Sequence, residues 1–292
     1  MAYLLLTLST LFWSGNFVLS RGMHADIPPL SLSFWRWGVA LLILLCFGGH
    51  HLWRQREIVK SHFVYILFQG LLGVAGFNTL IYIAVQTTTA INAVLVNSCI
   101  PVLIAVFSWI LHKDMMTPRQ CFGVLISLSG VVLIIVRGEV SHLLAMDFNR
   151  GDILVLVAAA FWALYSANLR NYPKDLHPLT YLTGIILSGL FMIFPFYLME
   201  LYSGKQMAIT PSSMATVLYV AIFASLLAFI FWNKAVRMVG ANKAGPFIHL
   251  MPVFSTILAV FFLGENLRPY HIQGILLIFF GILMTTFMVR QR

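Results

Sequence analysis

The chain has 292 residues, of which 60% are hydrophobic and only 9% charged, and its mean hydropathy is +0.91. Soluble domains carry about 25% charged residues, so this composition excludes a water-facing globular protein and predicts an all-α integral membrane protein solvated by lipid. The formal net charge of +9 is spread over short loops. Cations in short loops are expected of a membrane protein, where they set its orientation across the bilayer. Because the charge is not clustered, we expect no nucleic-acid partner.

Apolar segments long enough to span a bilayer, about 20 residues each, follow one another along the whole chain. We predict ten membrane-spanning helices, at residues 3–20, 30–48, 63–84, 89–111, 118–136, 151–169, 178–200, 213–235, 241–262 and 269–288. The first segment has no positive region before it, so we expect a span there and not a cleaved signal peptide.

The two halves of the chain resemble each other at an offset of 149–151 residues. The matched residues include Trp13 with Trp162, Arg21 with Arg170, Pro29 with Pro178, Pro101 with Pro252, Gly123 with Gly274 and Gly130 with Gly281. We therefore predict two repeats of five helices, at residues 1–137 and 150–292. Because five is odd, the second repeat must be inverted across the membrane, an arrangement typical of secondary transporters.

The positions of Lys and Arg predict that both termini are cytoplasmic. Twelve of these cations lie in loops on one side of the predicted membrane and five in loops on the other, and the richer side is expected to be cytoplasmic. The first set is Arg54, Arg56, Lys60, Lys113, Arg119, Arg170, Lys174, Lys234, Arg237, Lys243, Arg290 and Arg292. The second set is Arg21, Arg137, Arg150, Lys205 and Arg268.

Two motifs carry a family resemblance. The first reads Trp13-Ser14-Gly15-Asn16-Phe17-Val18, and the second reads Gly264-Glu265, Pro269, Gln273-Gly274 and Gly281. They resemble the first-helix and the ninth-to-tenth-helix signatures of EamA-type carriers in the drug/metabolite transporter superfamily. In the first half, Lys113-Asp114 replaces the usual Gly-Glu pair of the second motif.

Within that family the chain is most similar to bacterial exporters of aromatic amino acids, which are also linked to methyl viologen efflux. The resemblance implies a multi-pass protein of the bacterial inner membrane. It also implies a central cavity lined mainly by helices 1, 3, 4, 6, 8 and 9.

Neutral polar residues inside the predicted spans are candidates for the substrate site. A lone polar group in hydrocarbon is costly unless it is bonded, so each should face the bundle interior. For any one residue, interhelical hydrogen bonding is the alternative. The candidates are Asn16, Asn78, Tyr82, Asn97, Ser98, Tyr165, Asn233 and His249; Asn16 aligns with Tyr165, Tyr82 with Asn233 and Ser98 with His249.

Aromatic residues deep in the spans are the second set of candidates. Trp13, Trp162 and Trp232 could stack on an aromatic side chain or hold a quaternary pyridinium by cation–π attraction, together with Tyr82 and Tyr165. Packing is the alternative for each of them. The remaining tryptophans are assigned to the membrane interface; they are Trp35, Trp37, Trp53 and Trp109.

Every acidic residue lies in a loop or near a helix end, so the buried carboxylate of a proton-coupled carrier is missing. Transport is therefore expected to be facilitative, unless His249 carries a proton. Arg36 could attract a substrate carboxylate, but we favour snorkelling or bonding to backbone carbonyls because its aligned mate is the apolar Ile185. The matched Pro101 and Pro252 are either hinges for alternating access or static kinks.

These observations predict an inner-membrane exporter of aromatic amino acids and similar amphipathic metabolites that works by alternating access. We expect no cofactor, no metal site and no enzymatic activity. Two alternatives stay open: a carrier of nucleotide sugars, drugs or other metabolites, and a membrane-embedded transferase. The transferase would need convergent carboxylates, histidines or a metal motif, which the sequence does not show.

Overall fold

The computed structural model describes residues 1–23, 26–84, 86–88, 90–139, 141, 149–263 and 266–286. Over these residues the chain is helical, with turns and short irregular joints and no strand. Two features used in the sequence analysis lie outside the described residues. They are the Gly264-Glu265 pair of the second motif and the C-terminal cations Arg290 and Arg292.

Helices are numbered here in chain order. They are α1 (Ala2–Gly22), α2 (Pro29–Arg54), α3 (Arg56–Ser61), α4 (Phe63–Ala84), α5 (Ala90–Asn97), α6 (Ile100–His112), α7 (Pro118–Ile135), α8 (Arg150–Asn168), α9 (Pro178–Tyr202), α10 (Pro211–Val239), α11 (Ala241–Ala244), α12 (Leu250–Leu263) and α13 (Pro269–Thr286).

Eight of the described helical stretches are long and apolar enough to cross a membrane, so the chain is a multi-pass membrane protein. They are Pro29–Arg54, Phe63–Ala84, Asn92–His112, Pro118–Ile135, Arg150–Asn171, Pro178–Tyr202, Pro211–Val239 and Pro269–Thr286. The other two predicted spans coincide with α1 and with the stretch from α11 to α12, and their membrane crossing stays a prediction.

The predicted end of the second helix was wrong. It was placed at residue 48, where the apolar run gives way to histidines, but α2 continues to Arg54. A helix can extend past the apolar run into water because its backbone hydrogen bonds are satisfied within the helix itself.

Three of the eight apolar stretches and the predicted ninth span are interrupted, at matched places in the two halves. α4 and α10 each contain a π-helical segment, Leu71–Gly76 and Val220–Leu227, where the backbone takes up extra residues per turn. A turn at residues 98–99 separates α5 from α6, and a 3₁₀ segment at Gly245–His249 separates α11 from α12. The second pair of interruptions precedes Pro101 and Pro252, which remove a backbone donor.

α7 and α13 form a close antiparallel pair. A Cβ added to Gly123 would lie 2.6 Å from the carbonyl oxygen of Gly281, and one added to Gly130 would lie 2.6 Å from that of Gly274. The early glycine of each helix therefore meets the late glycine of the other. Glycine allows the two backbones to touch, as small residues do at other membrane helix interfaces.

Two buried carboxylates tie the halves together near helix ends. Glu200, in the last turn of α9, accepts hydrogen bonds from the backbone N–H groups of Leu30 (3.1 Å) and Ser31 (2.7 Å) at the start of α2. Asp152, in the first turn of α8, accepts hydrogen bonds from Thr88 and Asn92. Both carboxylates stabilise helix N-termini, where backbone donors and the helix dipole favour negative charge.

Trp37 corrects another sequence prediction. It was assigned to the membrane interface, but its side chain is completely buried and its ring lies edge-on to Phe229 at a centroid distance of 5.0 Å. Trp37 shares an inward face of α2 with Ser33, Ala40 and Leu44, at the spacing of a helix. The other tryptophans with this assignment are exposed on the surface; they are Trp35, Trp53 and Trp109.

Candidate substrate site

A fully buried arginine lies at the centre of a polar group between the two halves. Arg36 of α2 donates from Nε to Ser225 Oγ at 2.9 Å, and from Nη1 to Asn78 Oδ1 at 3.1 Å and Tyr82 Oη at 2.7 Å. The predicted snorkelling and bonding to backbone carbonyls are wrong, because all three acceptors are neutral side chains inside the bundle. Its Nη2 has no hydrogen-bond partner among the described residues.

The two π-helical segments orient the acceptors around Arg36. Asn78 Nδ2 donates to the carbonyl oxygen of Gly73 at 3.1 Å, and this bond turns Asn78 Oδ1 toward the guanidinium. Ser225 Oγ donates to the carbonyl oxygen of Val220 at 2.9 Å while it accepts from Arg36. In both cases the backbone acceptor lies five residues earlier, within the π segment. The interruptions thus supply the carbonyl groups that fix the site.

Four of the predicted polar residues form two tyrosine–asparagine pairs. Tyr82 donates to Asn16 Oδ1 at 3.5 Å, and Tyr165 donates to Asn233 Oδ1 at 2.8 Å. All four side chains are buried. The first pair belongs to the Arg36 group, because Tyr82 also accepts from that guanidinium.

Four of the five predicted aromatic residues, all but Tyr82, are brought together in one cluster. Trp162 lies at its centre, with ring-centroid distances of 5.0 Å to Trp13, 5.8 Å to Trp232, 5.2 Å to Tyr165 and 5.4 Å to Phe229. These distances are typical of favourable aromatic pairs. Trp13 alone among these five is partly exposed, so the rings mainly pack on one another.

The polar group and the aromatic cluster meet at two consecutive residues of α10. The Trp13 indole donates from Nε1 to the carbonyl oxygen of Ala224 at 3.0 Å, and Arg36 donates to the side chain of the next residue, Ser225. The Arg36 guanidinium carbon also lies 4.9 Å from the ring centroid of Trp37, which packs against Phe229. A cation and an aromatic surface are therefore neighbours in the bundle interior.

His249 belongs to a second polar group, where the interruption between α11 and α12 faces α7. Its Nε2 lies 3.0 Å from the carbonyl oxygen of Ser98 and its Nδ1 lies 2.7 Å from Ser127 Oγ. A carbonyl can only accept, so Nε2 carries the proton. With a neutral ring, the Ser127 hydroxyl shares its single proton between His249 Nδ1 and the carbonyl oxygen of Val124, which lies 2.9 Å away. Both ring nitrogens are engaged, so a substrate must displace one of these partners to bind His249.

Asn97 and the matched prolines lie at the same interruptions. Asn97 Oδ1 is buried without a partner in the described residues, while the hydroxyl of Ser98 donates to Val94 at 2.7 Å. Gly245 packs on Pro101, and a Cβ there would lie 3.3 Å from the Pro101 Cα. The breaks of the two halves therefore touch. Whether Pro101 and Pro252 act as hinges stays a prediction.

Sequence reasoning gave too little weight to Arg36 and missed Ser225 and Phe229. The position of Arg36 could have indicated its role, because a charged side chain two turns inside an apolar span usually faces the bundle interior. Phe229 precedes Trp232 by three residues, which puts both on one helix face. Ser225 carried no such signal, since its position depends on the π segment.

Comparisons with known proteins agree with a transporter fold. The chain matches the EamA-like transporter family over residues 1–136 and 149–287. It is 26% identical to the "Uncharacterized transporter YyaM" of Bacillus subtilis, over 99% of this chain and 94% of that protein. It is 27% identical to an "Uncharacterized transporter" of Archaeoglobus fulgidus, over 97% and 96% respectively. A solved crystal structure aligns with a TM-score of 0.81 over 98% of this chain and 96% of that chain, at 20% identity.

Proposed function

Because the chain belongs to the EamA-like transporter family, we propose that it is a secondary transporter that exports aromatic amino acids and similar amphipathic metabolites. Its location in this proposal is the bacterial inner membrane. The transport is facilitative and proceeds by alternating access, and the chain is not an enzyme.

This proposal rests on the matched helix interruptions. One pair lies in α4 and α10, and the other pair lies just before Pro101 and Pro252. Secondary transporters bind substrate at discontinuous helices between their repeats, because unwound backbone can be tolerated in the membrane only where it is buried or lines a site. Here the interruptions supply acceptors for the side chains of Asn78 and Ser225 and for the indole of Trp13.

The proposed topology has ten spans, in inverted repeats at residues 1–137 and 150–292, with both termini cytoplasmic. The antiparallel glycine contacts between α7 and α13 support it, since inversion makes equivalent helices of the two repeats antiparallel. The paired tyrosines and asparagines support it as well, because Asn16 aligns with Tyr165 and Tyr82 with Asn233.

The aromatic cluster supports an aromatic cargo. Trp13, Trp162 and Trp232 converge from three helices, and Trp13 is partly exposed. A substrate ring could replace one of these edge or tilted contacts at little cost, since aromatic pairs tolerate several geometries.

The test is flux from liposomes that contain the purified protein. Liposomes loaded with tryptophan, phenylalanine or threonine are compared with protein-free liposomes, with and without an imposed pH gradient. We expect the protein to release tryptophan and phenylalanine faster than threonine, at a rate that does not depend on the gradient. Aromatic flux equal to that of protein-free liposomes would reject the proposed cargo.

A further inference from the structure

The charge of Arg36 has no counter-ion in the part of the chain that the structure describes. Its hydrogen-bond acceptors there are a hydroxyl, an amide and a phenol, all neutral. The ion pairs among the described residues join Glu57 to Arg56 and to Lys60 at exposed positions. Burying a guanidinium without an anion is costly even when neutral groups accept some of its hydrogen bonds.

The donors of the guanidinium that lack a partner among the described residues all belong to one nitrogen, Nη2. Nε has one N–H and Nη1 has two, and the three side-chain acceptors use all of them. The two N–H groups of Nη2 have no described partner, although the nitrogen is buried. A structural arginine would be expected to have these donors satisfied as well, because buried polar groups are nearly always bonded.

We propose that Arg36 binds the carboxylate of the substrate through Nη2, so that the cargo is a class of amphipathic carboxylates with an aromatic body. This inference rests on the proposed export function and narrows its substrates. A carboxylate accepts charge-assisted hydrogen bonds and neutralises the single guanidinium charge, whereas a phosphate dianion would leave an excess negative charge.

The neighbouring aromatic residues determine where the rest of the substrate lies. Ser225 holds the guanidinium, and the preceding Ala224 holds the Trp13 indole. A carboxylate on Arg36 therefore puts the substrate body beside Trp13, a partly exposed residue whose ring contacts Trp162. The two ends of an aromatic carboxylate are matched by a cation and by a ring cluster that lie side by side.

The same charge selects against cations. A quaternary pyridinium or an aromatic amine without a carboxylate would approach an uncompensated positive charge in a medium of low dielectric, where like charges repel strongly. We therefore expect the methyl viologen type of cargo to be excluded.

The test compares ligands that differ only in charge. Purified protein in detergent is titrated with 3-indolepropionate and with its uncharged amide, and binding is measured as the rise in unfolding temperature. We expect the carboxylate to bind about tenfold to a hundredfold more tightly than the amide, as a hydrogen-bonded ion partner should. Methyl viologen should cause no rise. Equal binding of the carboxylate and the amide to the wild-type protein would overturn the inference.

Variants separate binding from structure. Arg36→Gln should bind the carboxylate and the amide equally, and Arg36→Lys, which keeps the charge, should keep a weaker preference for the carboxylate. The exposed Arg268, changed to Gln, is the matched control and should bind like the wild type. If Arg36→Gln fails to fold, the wild-type ligand pair and Arg36→Lys still decide. An undiminished preference for the carboxylate in Arg36→Gln would overturn the inference.

The liposome assay distinguishes this inference from the export function. If the carboxylate binds in an Arg36-dependent manner but no aromatic amino acid crosses the liposome membrane, the cargo proposal fails and the assignment of Arg36 stands. If tryptophan is exported but the carboxylate and the amide bind alike, export stands and the assignment of Arg36 fails.

Discussion

Tyr165 donates a hydrogen bond of 2.8 Å to Asn233, and this bond joins α8 to α10. The matched bond in the first half runs from Tyr82 to Asn16, joins α4 to α1 and is longer, at 3.5 Å. The two residue types have exchanged helices between the halves, since Asn16 aligns with Tyr165. The first-half tyrosine also accepts from Arg36, whereas the second-half tyrosine has a phenylalanine, Phe229, as a ring neighbour. The two hydroxyl groups should therefore have different roles.

We expect Tyr82→Phe to reduce transport. The substitution removes the 2.7 Å acceptor of Arg36 Nη1 and frees the guanidinium to turn away from its present orientation. Hydrogen bonds to charged groups contribute about 1.5–3 kcal/mol, so the apparent substrate affinity should fall about tenfold or more. Initial flux in liposomes measures this effect. Tyr202→Phe, at an 86% exposed position, is the control, and flux of Tyr82→Phe within twofold of the wild type would contradict the prediction.

We expect Tyr165→Phe to lower stability more than affinity. It leaves Asn233 Oδ1 without its 2.8 Å donor in the bundle interior. An unsatisfied buried acceptor costs about 1–3 kcal/mol. The unfolding temperature in detergent should fall, while the substrate concentration for half-maximal flux should stay close to that of the wild type. An unchanged unfolding temperature would show that another donor satisfies Asn233.

Trp162 should be required for both packing and selectivity. Its ring is 2% exposed and contacts three other rings within 5.2 Å, so Trp162→Ala should cost about 3–5 kcal/mol in stability. Trp162→Phe keeps an aromatic ring and should fold, with a smaller preference for tryptophan over threonine in the flux assay. Trp53→Ala, at a 71% exposed position, should leave both measurements unchanged. Wild-type selectivity in Trp162→Phe would remove this residue from the substrate site.

The glycine contacts predict sharp intolerance of added volume. Gly130→Ala and Gly274→Ala each put a methyl group less than 3 Å from the opposite carbonyl oxygen and should cost about 1–3 kcal/mol by forcing α7 and α13 apart. Gly38→Ala is the matched control, because a Cβ there meets nothing within 4 Å. Unfolding in detergent should separate the first two variants from the third. Equal stability of all three would mean that the helix pair is free to adjust.

The bond between His249 and Ser127 can be tested with a double-mutant cycle. Single changes to alanine and the combined change should show a coupling of about 0.6 kcal/mol, the average for hydrogen bonds within a membrane protein, and at most about 1.7 kcal/mol. Because both ring nitrogens are engaged between helices, the rate of substrate efflux should not follow an imposed pH gradient. Gradient-driven flux that is lost in His249→Ala would instead assign a proton to this ring.

Much of the fold was predictable, because lipid imposes few choices. An apolar run of about 20 residues has to be helical, and a proline such as Pro118 or Pro269 marks a helix start. The interruptions before Pro101 and Pro252 were predictable as well, because proline lacks a backbone donor and disrupts the helical turn before it. The π segments were not, since Leu71–Gly76 and Val220–Leu227 read as ordinary apolar helix and depend on packing and on the bonds made by Asn78 and Ser225.

The site was only partly predictable, because repeat symmetry is a poor guide to asymmetric residues. Matched positions identified Asn16, Tyr82, Tyr165 and Asn233, and all four are hydrogen-bonded in the bundle interior. Arg36 is aligned with the apolar Ile185, so the comparison of the two halves argued against Arg36 as a site residue. One substrate carboxylate needs one cation, and two arginines at symmetry-related positions would repel each other. Arg36 therefore has no polar residue at the matched position of the second half.

The π segments also set the rotational phase of everything that follows them. If Leu71–Gly76 rewound as ordinary α-helix with the sequence unchanged, the rest of α4 would turn by about 100° about its axis. Asn78 and Tyr82 would then point away from Arg36, with the length and hydropathy of the span almost unchanged. The orientation of the Arg36 group therefore depends on the winding of six residues, which hydropathy analysis does not detect.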